Sequence, residues 1–590
     1  MNERNKTSIR FMPPVIRDCV HNCAYVRGKF LGRGGFANCY QVTQIGTDYK
    51  YAIKVVDRNL LKNKKQMDKM IQEVGIHGQL NHKNIVQMYH SFKDLSNFYL
   101  VLELCRNNTL LELQERRKTV TIPEAKYFCK NIAEGIDYLH DRHIIHRDLK
   151  LNNIFLNKDM EVKIGDFGLT ARLNDPRELR MSVCGTPNYI APEILNRIGH
   201  SFEVDIWAFG CILYALLVGK PPFEAQTKND IFEKINTNSY FFPEEFNIQA
   251  RKLIKEMLSH NPLKRPKIKE ILNCSFLTEG YIPEYLPLSC LVMRPRFPKE
   301  VIDKNCNKNN YERHHIVQPI EKENIDQRRR ITKYLDEASF LLNQLRRLYS
   351  TKHKLISSFY MDEALHPRSS PVYYCTKWMD LSYKYGFGYE LCDGSIGILF
   401  NDKTHLVSDG DMKKLQYIDI YDNEEHYMIS DCPERLAKKM KILKIYKTYM
   451  ENKLSKTIID TYRDDNGISR LPIIIKWEKN DTAIAMFFSN GTLQVNFLKD
   501  HFKVIVCPHM KAISLIDGTQ ELKTYKLKIL ESCGWDEVVD EKLKYLIKIL
   551  EKWTAFKRKR KSNDDNDLIL GVDDSYCVST TKKKKIFEYP

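Results

Sequence analysis

Long apolar runs are missing from this 590-residue chain. No stretch of eighteen or more apolar residues occurs, which excludes an ordinary transmembrane helix. The opening residues, Met1-Asn2-Glu3-Arg4-Asn5-Lys6, lack the apolar core of a secretory signal. Cysteine occurs 16 times but in no regular framework and in no Cys-x-x-Cys pair. That spacing argues against a disulfide scaffold, and the expectation is small, buried, reduced thiols of an intracellular protein.

Charge, by contrast, is plentiful and lopsided. Charged residues make up 28% and hydrophobic residues 43%, as in a soluble globular protein, but the formal net charge is +18. Such a balance favours acidic or phosphorylated partners and, less specifically, nucleic acid or anionic membrane. Part of the excess is clustered at residues 62–65, 328–330, 557–561 and 582–585. Clusters of this kind read first as solvated surface or tails. The length exceeds one core and predicts about three or four domains.

Texture changes along the chain suggest where these lie. After a short N-terminal extension (1–24), residues 25–277 begin strand-rich and continue in long amphipathic patterns. Residues 278–372 open with Pro283, Pro287, Pro295 and Pro298 and then turn polar, which is linker composition. Within them, Tyr334 to Leu345 has helical spacing and predicts a short amphipathic helix that docks against a neighbour.

Residues 373–553 contain a repeat. Gly394-Ser395-Ile396-Gly397-Ile398-Leu399-Phe400 matches Gly491-Thr492-Leu493-Gln494-Val495-Asn496-Phe497. Each copy has a turn glycine followed by apolar residues two, four and six positions later, the period of a half-buried strand. Each is followed by a helical pattern: Leu436, Met440, Leu443 and Tyr446, then Leu543, Leu546, Ile547 and Leu550. Two copies are too few for a solenoid, so a packed pair is expected.

The chemistry is concentrated in two phrases, His146-Arg147-Asp148-Leu149-Lys150-Leu151-Asn152-Asn153 and Asp166-Phe167-Gly168. Moving a phosphoryl group from ATP requires a metal held against the phosphates and a carboxylate facing the incoming hydroxyl. Their order and spacing fit the protein-kinase solution to that problem. Asp148 is expected to orient the acceptor hydroxyl and take its proton, and Lys150 to neutralise the transferring group. Asn153 and Asp166 are expected to hold Mg²⁺. Lysine at position 150 is the serine/threonine pattern.

Upstream, Leu31-Gly32-Arg33-Gly34-Gly35-Phe36-Ala37 runs between apparent strands and on to Cys39. A dinucleotide fold would need a helix there, whereas this sequence resumes a strand and delivers Lys54. A glycine hairpin over nucleotide phosphates is the reading, with Lys54 on the phosphates and paired to Glu73. Backbone groups of Glu103 and Cys105 are expected at the adenine edge, with Cys39 and Cys105 as apolar wall. Ser182 is the expected activation-loop phosphosite, its phosphate pairing with Arg147 and a neighbour such as Arg172. Thr186 is expected near Asp148 and Lys150 as a positioning hydroxyl.

With Cys184-Gly185-Thr186-Pro187-Asn188-Tyr189-Ile190-Ala191-Pro192-Glu193, Gly199 to Asp205, Trp378 to Tyr389 and Ser489 to Phe497 in view, the chain resembles the polo-like kinases over nearly its whole length. The resemblance implies an α+β architecture: a bilobal kinase domain (25–277), a linker with a polo-box cap helix (278–372), and two polo boxes (373–452 and 471–553), each an antiparallel sheet plus a helix, packed as a pair. A basic tail follows (554–590), either an import signal or a solvated segment.

It further implies ATP and Mg²⁺ as cofactors, and protein substrates, phosphorylated docking proteins and an upstream activating kinase as partners. Neither direct nucleic-acid binding nor membrane insertion is expected. The docking groove would be built from Trp378, Leu454, Asn496, His501 and Lys503 and would accept Ser-pSer or Ser-pThr motifs. The implied work is mitotic, in cytoplasm and nucleus, at the centrosome or spindle pole, kinetochore and division site, with the boxes also able to restrain the kinase domain. Ser182 stands where the family commonly has Thr, and Ser455 where it has a leucine. Two rival classes are a non-catalytic phosphopeptide-binding scaffold and a kinase whose boxes dimerise.

Overall fold

The structure, a computed structural model, describes residues 13–34, 37–61, 64–175, 177–297, 319–351, 365–453 and 470–555. The chain divides between Tyr285 and Leu286 into two compact units.

The first unit opens with a six-stranded antiparallel sheet. In spatial order its strands are Val15–Asp18, Cys23–Arg33, Ala37–Gln44, Lys50–Asp57, Asn97–Leu102 and Met88–Lys93. Val42, Ile53, Tyr99 and Val101 point from these strands into one apolar cluster with Ile16 and Tyr25. The helix Lys64–His77 follows the fourth strand.

The rest of the unit is mainly helical. The helix Ile122–His140 starts at a capping box, in which the Glu124 carboxylate accepts from the Thr121 backbone N–H at 2.8 Å. The helix Glu203–Val218 is apolar on every side, and the run from Val204 to Leu216 is buried, as a helix at the centre of a domain must be. It stops at Gly219, whose φ of +91° suits glycine. A short hairpin, Ile154–Leu156 with Val162–Ile164, lies between the Asp148 and Asp166 phrases.

The second unit shows how the repeat folds. Each copy is a six-stranded antiparallel meander, from Cys375–Leu381 to Glu424–Met428 and from Ile474–Lys479 to Leu522–Lys526. Each then reaches a helix, Ala437–Lys453 in the first and, after a short one, Glu537–Thr554 in the second. Both first strands carry a register shift at the same place, between Cys375 and Lys377 and between Ile474 and Lys476. Gly394 and Gly491 adopt φ of +84° and +80° at the end of three-residue turns, which only glycine enters without strain.

Three expectations are corrected here. The repeat strands are buried on both faces rather than half-buried. Ile396, Ile398 and Phe400 pack under the helix Ala437–Lys453, while Leu399, Phe387 and Tyr389 pack against Ile484, Met486 and Phe488 of the other copy. The two sheets therefore sit face to face, each covered outside by helices, so alternation marks two apolar neighbours instead of one neighbour and water.

The second correction concerns the linker helix, which spans Pro319–Ser350 rather than a short segment. No proline or glycine interrupts residues 320–350, and Glu, Lys, Arg, Gln and Leu sustain helix throughout. Its Tyr334, Ala338, Leu341, Leu342, Leu345 and Leu348 dock on the outer face of the second meander and on Glu537–Thr554. In that last helix Ile549 takes the buried place expected of Ile547, which lies at the margin of the same cluster. The expected basic tail lies outside the described residues.

Candidate functional site

Lys54 enters the site from the strand Lys50–Asp57. Its ammonium donates to Glu73 of the helix Lys64–His77 at 2.5 Å and to Asp166 at 3.4 Å. Burial works against the Lys54 charge, but the Glu73 carboxylate and then Asp166 outweigh it and hold the group above its ordinary range. Burial would likewise raise Asp166, yet Lys54 and then His146 keep its carboxyl below the usual carboxylate range. Asp166 has φ +64°, a left-handed conformation that a non-glycine residue rarely adopts. Phe167 is packed inward between His77 and His146, at ring distances of 4.4 and 5.3 Å.

A second cluster surrounds Asp148. Lys150 donates to its Oδ2 at 2.7 Å and to the Thr186 hydroxyl at 2.8 Å, and that hydroxyl donates to Asp148 Oδ1 at 2.8 Å. The Asn153 amide donates to the Asp148 carbonyl at 2.8 Å and to Oδ2 at 3.1 Å. Both Asn153 protons thus face Asp148, and its carbonyl oxygen is turned the other way. Gly165 N–H donates to the Asn153 backbone carbonyl at 2.9 Å, joining the two phrases.

One residue that sequence reasoning left out of the site holds this loop. Asp205, buried on the apolar helix Glu203–Val218, accepts from the backbone N–H groups of His146 and Arg147 at 2.9 Å each and pairs with His140 at 3.0 Å. Arg147 has φ +67°, so the loop is turned sharply where those two bonds grip it. The available signal was an aspartate inside an otherwise unbroken apolar helix.

Around the nucleotide loop, Gly32 pairs with Cys39 in the ladder and Gly34 N–H closes a turn on the Ala37 carbonyl at 2.7 Å. Gly35 and Phe36 lie outside the described residues. Leu31 and Cys39 are half-buried and Ala37 is buried. The Glu103 carboxylate is engaged by Lys163 and the Gln87 N–H at 3.3 Å each. Burial, with Glu103 nearby, pushes the Cys105 thiol far up, as befits a wall rather than a nucleophile. Exposed Ser182 accepts from the Arg147 guanidinium at 2.8 Å, whereas Arg172 donates to Gln79 instead.

In the second unit, Lys503, beside Asn496 in the ladder, reaches across to the strand that carries Trp378. Half-buried Trp378 stacks on Phe387 at 6.2 Å, with the Lys479 ammonium 5.0 Å from its ring. Asn496 is the ladder partner of Lys503 and accepts from Gln494 at 2.8 Å. Gln494 also grips the Cys375 backbone across the boundary, accepting from its N–H at 2.7 Å and donating to its carbonyl at 2.8 Å. Lys503 reaches across to the Thr376 carbonyl at 3.4 Å. No carboxylate among the described residues pairs with it, and burial holds its pKa below the usual lysine range. His501 is exposed beside it at φ +54°, and Leu454 lies outside the described residues.

Comparison with known proteins gives the same division. The protein kinase domain model matches residues 25–277, and the duplicated POLO box model matches 383–440 and 480–540. The serine/threonine-protein kinase PLK1 of Xenopus laevis is 41% identical over 571 residues, covering 94% of each chain. The chain belongs to the polo-like kinase family.

Two further relatives are similar over comparable spans. Serine/threonine-protein kinase plk-1 of Caenorhabditis elegans is 40% identical over 582 residues, covering 93% of this chain and 89% of its own. Serine/threonine-protein kinase polo of Drosophila melanogaster is 38% identical over 563 residues, covering 92% and 98%. As a polo-like kinase, this chain is a serine/threonine protein kinase that uses ATP and a divalent metal to modify proteins, and its repeat is a pair of polo boxes. No helix among the described residues is long and apolar enough to cross a membrane.

Proposed function

We propose that Asp148 receives the substrate hydroxyl and that the paired boxes choose which phosphorylated protein is brought to it. The observation that carries the catalytic half is the fixed ring of Asp148, Lys150 and Thr186. Three hydrogen bonds, from Lys150, Thr186 and Asn153, aim the Asp148 carboxylate, and Lys150 stands beside it where charge on the transferring group must be met. Asn153 and Asp166 offer oxygen donors on neighbouring segments, a set that suits Mg²⁺, whose role when bound is to shield the phosphates. Lys54, aligned by Glu73, serves the α- and β-phosphates. The segment Leu31 to Ala37 covers the phosphates, and backbone groups of Glu103 and Cys105 hold the base beside Cys39.

Ser182 is the switch in this reading. A phosphate there adds about −1.5 to −2 charges beside Arg147, which already holds the hydroxyl, and so ties the activation segment to the loop carrying Asp148. An upstream kinase supplies it. The docking half rests on Lys503, a half-buried cation without a carboxylate partner, which a phosphopeptide would complete together with His501. Trp378 and Asn496 line the groove for the peptide around the phospho-residue. Docking then raises local substrate concentration without any new catalytic contact. Mitotic targets at centrosome, spindle, kinetochore and division site follow from kinship with the polo kinases.

The test has two arms. Wild type phosphorylates casein with ATP, and Asp166→Asn does not. In direct binding, a Ser-pThr peptide is held and its Ser-Thr twin is not, and a His501→Ala/Lys503→Met chain holds neither. Equal binding of the two peptides by wild type would defeat the docking half and leave the kinase assignment standing.

A further inference from the structure

Among the described residues, one group of three His, Cys, Asp or Glu side chains has all its ligand atoms within 4.8 Å of one another: Asp18, Cys23 and His90. They lie in the sheet of the first unit, away from the Asp148 and Lys54 clusters in the chain. His21 stands at the edge of the group, its Nδ1 2.8 Å from Asp18 Oδ2 but not within 4.8 Å of all three ligand atoms, while His90 Nε2 is 3.2 Å from the same oxygen. The two imidazoles face each other with centroids 4.1 Å apart.

The Asp18 carboxylate is divided between two tasks. Its Oδ1 accepts from the backbone N–H groups of Val20 at 2.9 Å and His21 at 3.1 Å, which folds the turn back over the strand. Its Oδ2 is left for the histidines. Tyr25, buried behind the group, has its hydroxyl 3.1 Å from His90 Nε2 and 3.3 Å from Cys23 Sγ.

We propose that Asp18, His21, Cys23 and His90 bind one Zn²⁺ ion. Two nitrogens, one thiolate and one carboxylate are donors of the type that tetrahedral zinc takes. With bonds of about 2.0 Å to N and O and about 2.3 Å to S, tetrahedral ligand atoms stand about 3.3 to 3.5 Å apart. The Asp18–His90 spacing is already close to that, and the exposed His21 ring swings toward Cys23 and His90 to take the fourth place. With both histidines neutral, carboxylate and thiolate balance the ion's two charges. Binding releases the Cys23 thiol proton to solvent, and the Tyr25 hydroxyl then donates to the bound thiolate as an outer support.

The consequence is topological. Val15–Asp18 and Met88–Lys93 are the opposite edges of the six-stranded sheet, yet Asp18 and His90 touch. The sheet is curled until its edges meet around Ile16, Tyr25, Phe92 and Val101. Zinc at this seam closes it with a bond where no ladder exists. The cysteine spacing in the sequence hides the site because its fourth member arrives from residue 90.

The test uses the full chain, stripped with chelator and titrated with Zn²⁺ or Co²⁺. One equivalent of Zn²⁺ binds and raises the melting temperature. Co²⁺ gives the visible bands of a tetrahedral site and a thiolate charge-transfer band, the latter lost in Cys23→Ser and retained in Cys19→Ser. His90→Gln abolishes stoichiometric binding, and Tyr25→Phe weakens affinity about 10-fold. The wild-type cobalt spectrum needs no variant to fold. Absence of the charge-transfer band in wild type, or its persistence in both Cys23→Ser and His90→Gln, overturns the site and leaves a hydrogen-bonded cluster.

Discussion

Laid over each other in ladder register, the two polo boxes place His405 and Lys503 on the same rung. Leu399 pairs with His405 and Asn496 with Lys503, and each first partner is the fifth residue after its turn glycine. Trp378 and Trp477 correspond in the same way, each one residue past the register shift in its first strand. The surroundings differ sharply. Trp477 is buried and stacked on Phe387 at 4.3 Å, and buried His405 donates to the Ile474 carbonyl at 3.0 Å. Trp378 is half-exposed, Asn496 replaces Leu399, and Lys503 lacks a carboxylate.

One duplication has therefore given two clefts of opposite character. In the first box Leu399, His405 and Trp477 are all buried, and the His405 ring is bonded to the Ile474 carbonyl. The Asn496–Lys503–Trp378 cleft keeps a positive charge that its own residues leave unbalanced. What separates the two boxes at this rung is two side chains on a shared backbone, Leu399 against Asn496 and His405 against Lys503.

The tryptophans break this comparison most directly. Trp477→Ala should cost about 3–5 kcal/mol of stability in the second unit. Trp378→Ala should cost less than half as much but weaken phosphopeptide binding. Calorimetric unfolding of the two full-length variants decides it, and equal losses would mean that both clefts are structural.

Next in size is the rung itself. Lys503→Met should lower Ser-pThr peptide affinity by about 100-fold or more, with stability unchanged or raised because a half-buried ammonium without a carboxylate partner is removed. His405→Met should do the reverse. It orphans the Ile474 carbonyl at a cost of about 1–3 kcal/mol and leaves peptide affinity alone. Titration calorimetry alongside unfolding reads both.

Acid separates the boxes in another way. Glu424, at the last strand of the first box, pairs with Arg470, which leads into the second. Burial would raise Glu424, but His426 and Arg470 outweigh it and bring its pKa down to about 2 from 4.5. A depressed carboxylate contributes stability above its unfolded pKa and loses it as pH falls through the folded one. The unit should therefore lose at most about 3 kcal/mol between pH 4.5 and 2 through this pair. Glu424→Gln should flatten that segment of the stability–pH curve.

The smallest effect concerns what the boxes share. Gly394→Ala and Gly491→Ala should each cost about 1–2 kcal/mol, since both enforce the left-handed turn. A large difference between them in melting temperature would show that the two hairpins are not equivalent.

The features legible in the sequence were those written locally. Asp148, Lys150, Asn153 and Asp166 stand in two short phrases whose spacing is set by one hairpin, and the structure brings them into a connected cluster. The boxes announced themselves by a turn glycine and alternate apolar residues. What escaped depended on neighbours distant in the chain. A strand with one apolar face and a strand with two both alternate when glycine or a polar residue interrupts them, as Gly397 and Gln494 do. Asp205 looks like one acidic residue in an apolar helix until the loop it grips is folded beside it. Arg172 reads in the sequence as an available partner for Ser182, but its guanidinium is spent on Gln79 of another segment.

The hold of Asp205 on His146 and Arg147 has a consequence for how this kinase opens to solvent. The acceptor belongs to a helix with almost no exposed surface, so those two amides cannot be released by fraying of a loop. Their protons should trade with deuterated water only when the helical core itself comes apart, at the pace of the slowest amides in Glu203–Val218. The loop that presents Asp148, although irregular in shape, would then behave in exchange as part of the interior.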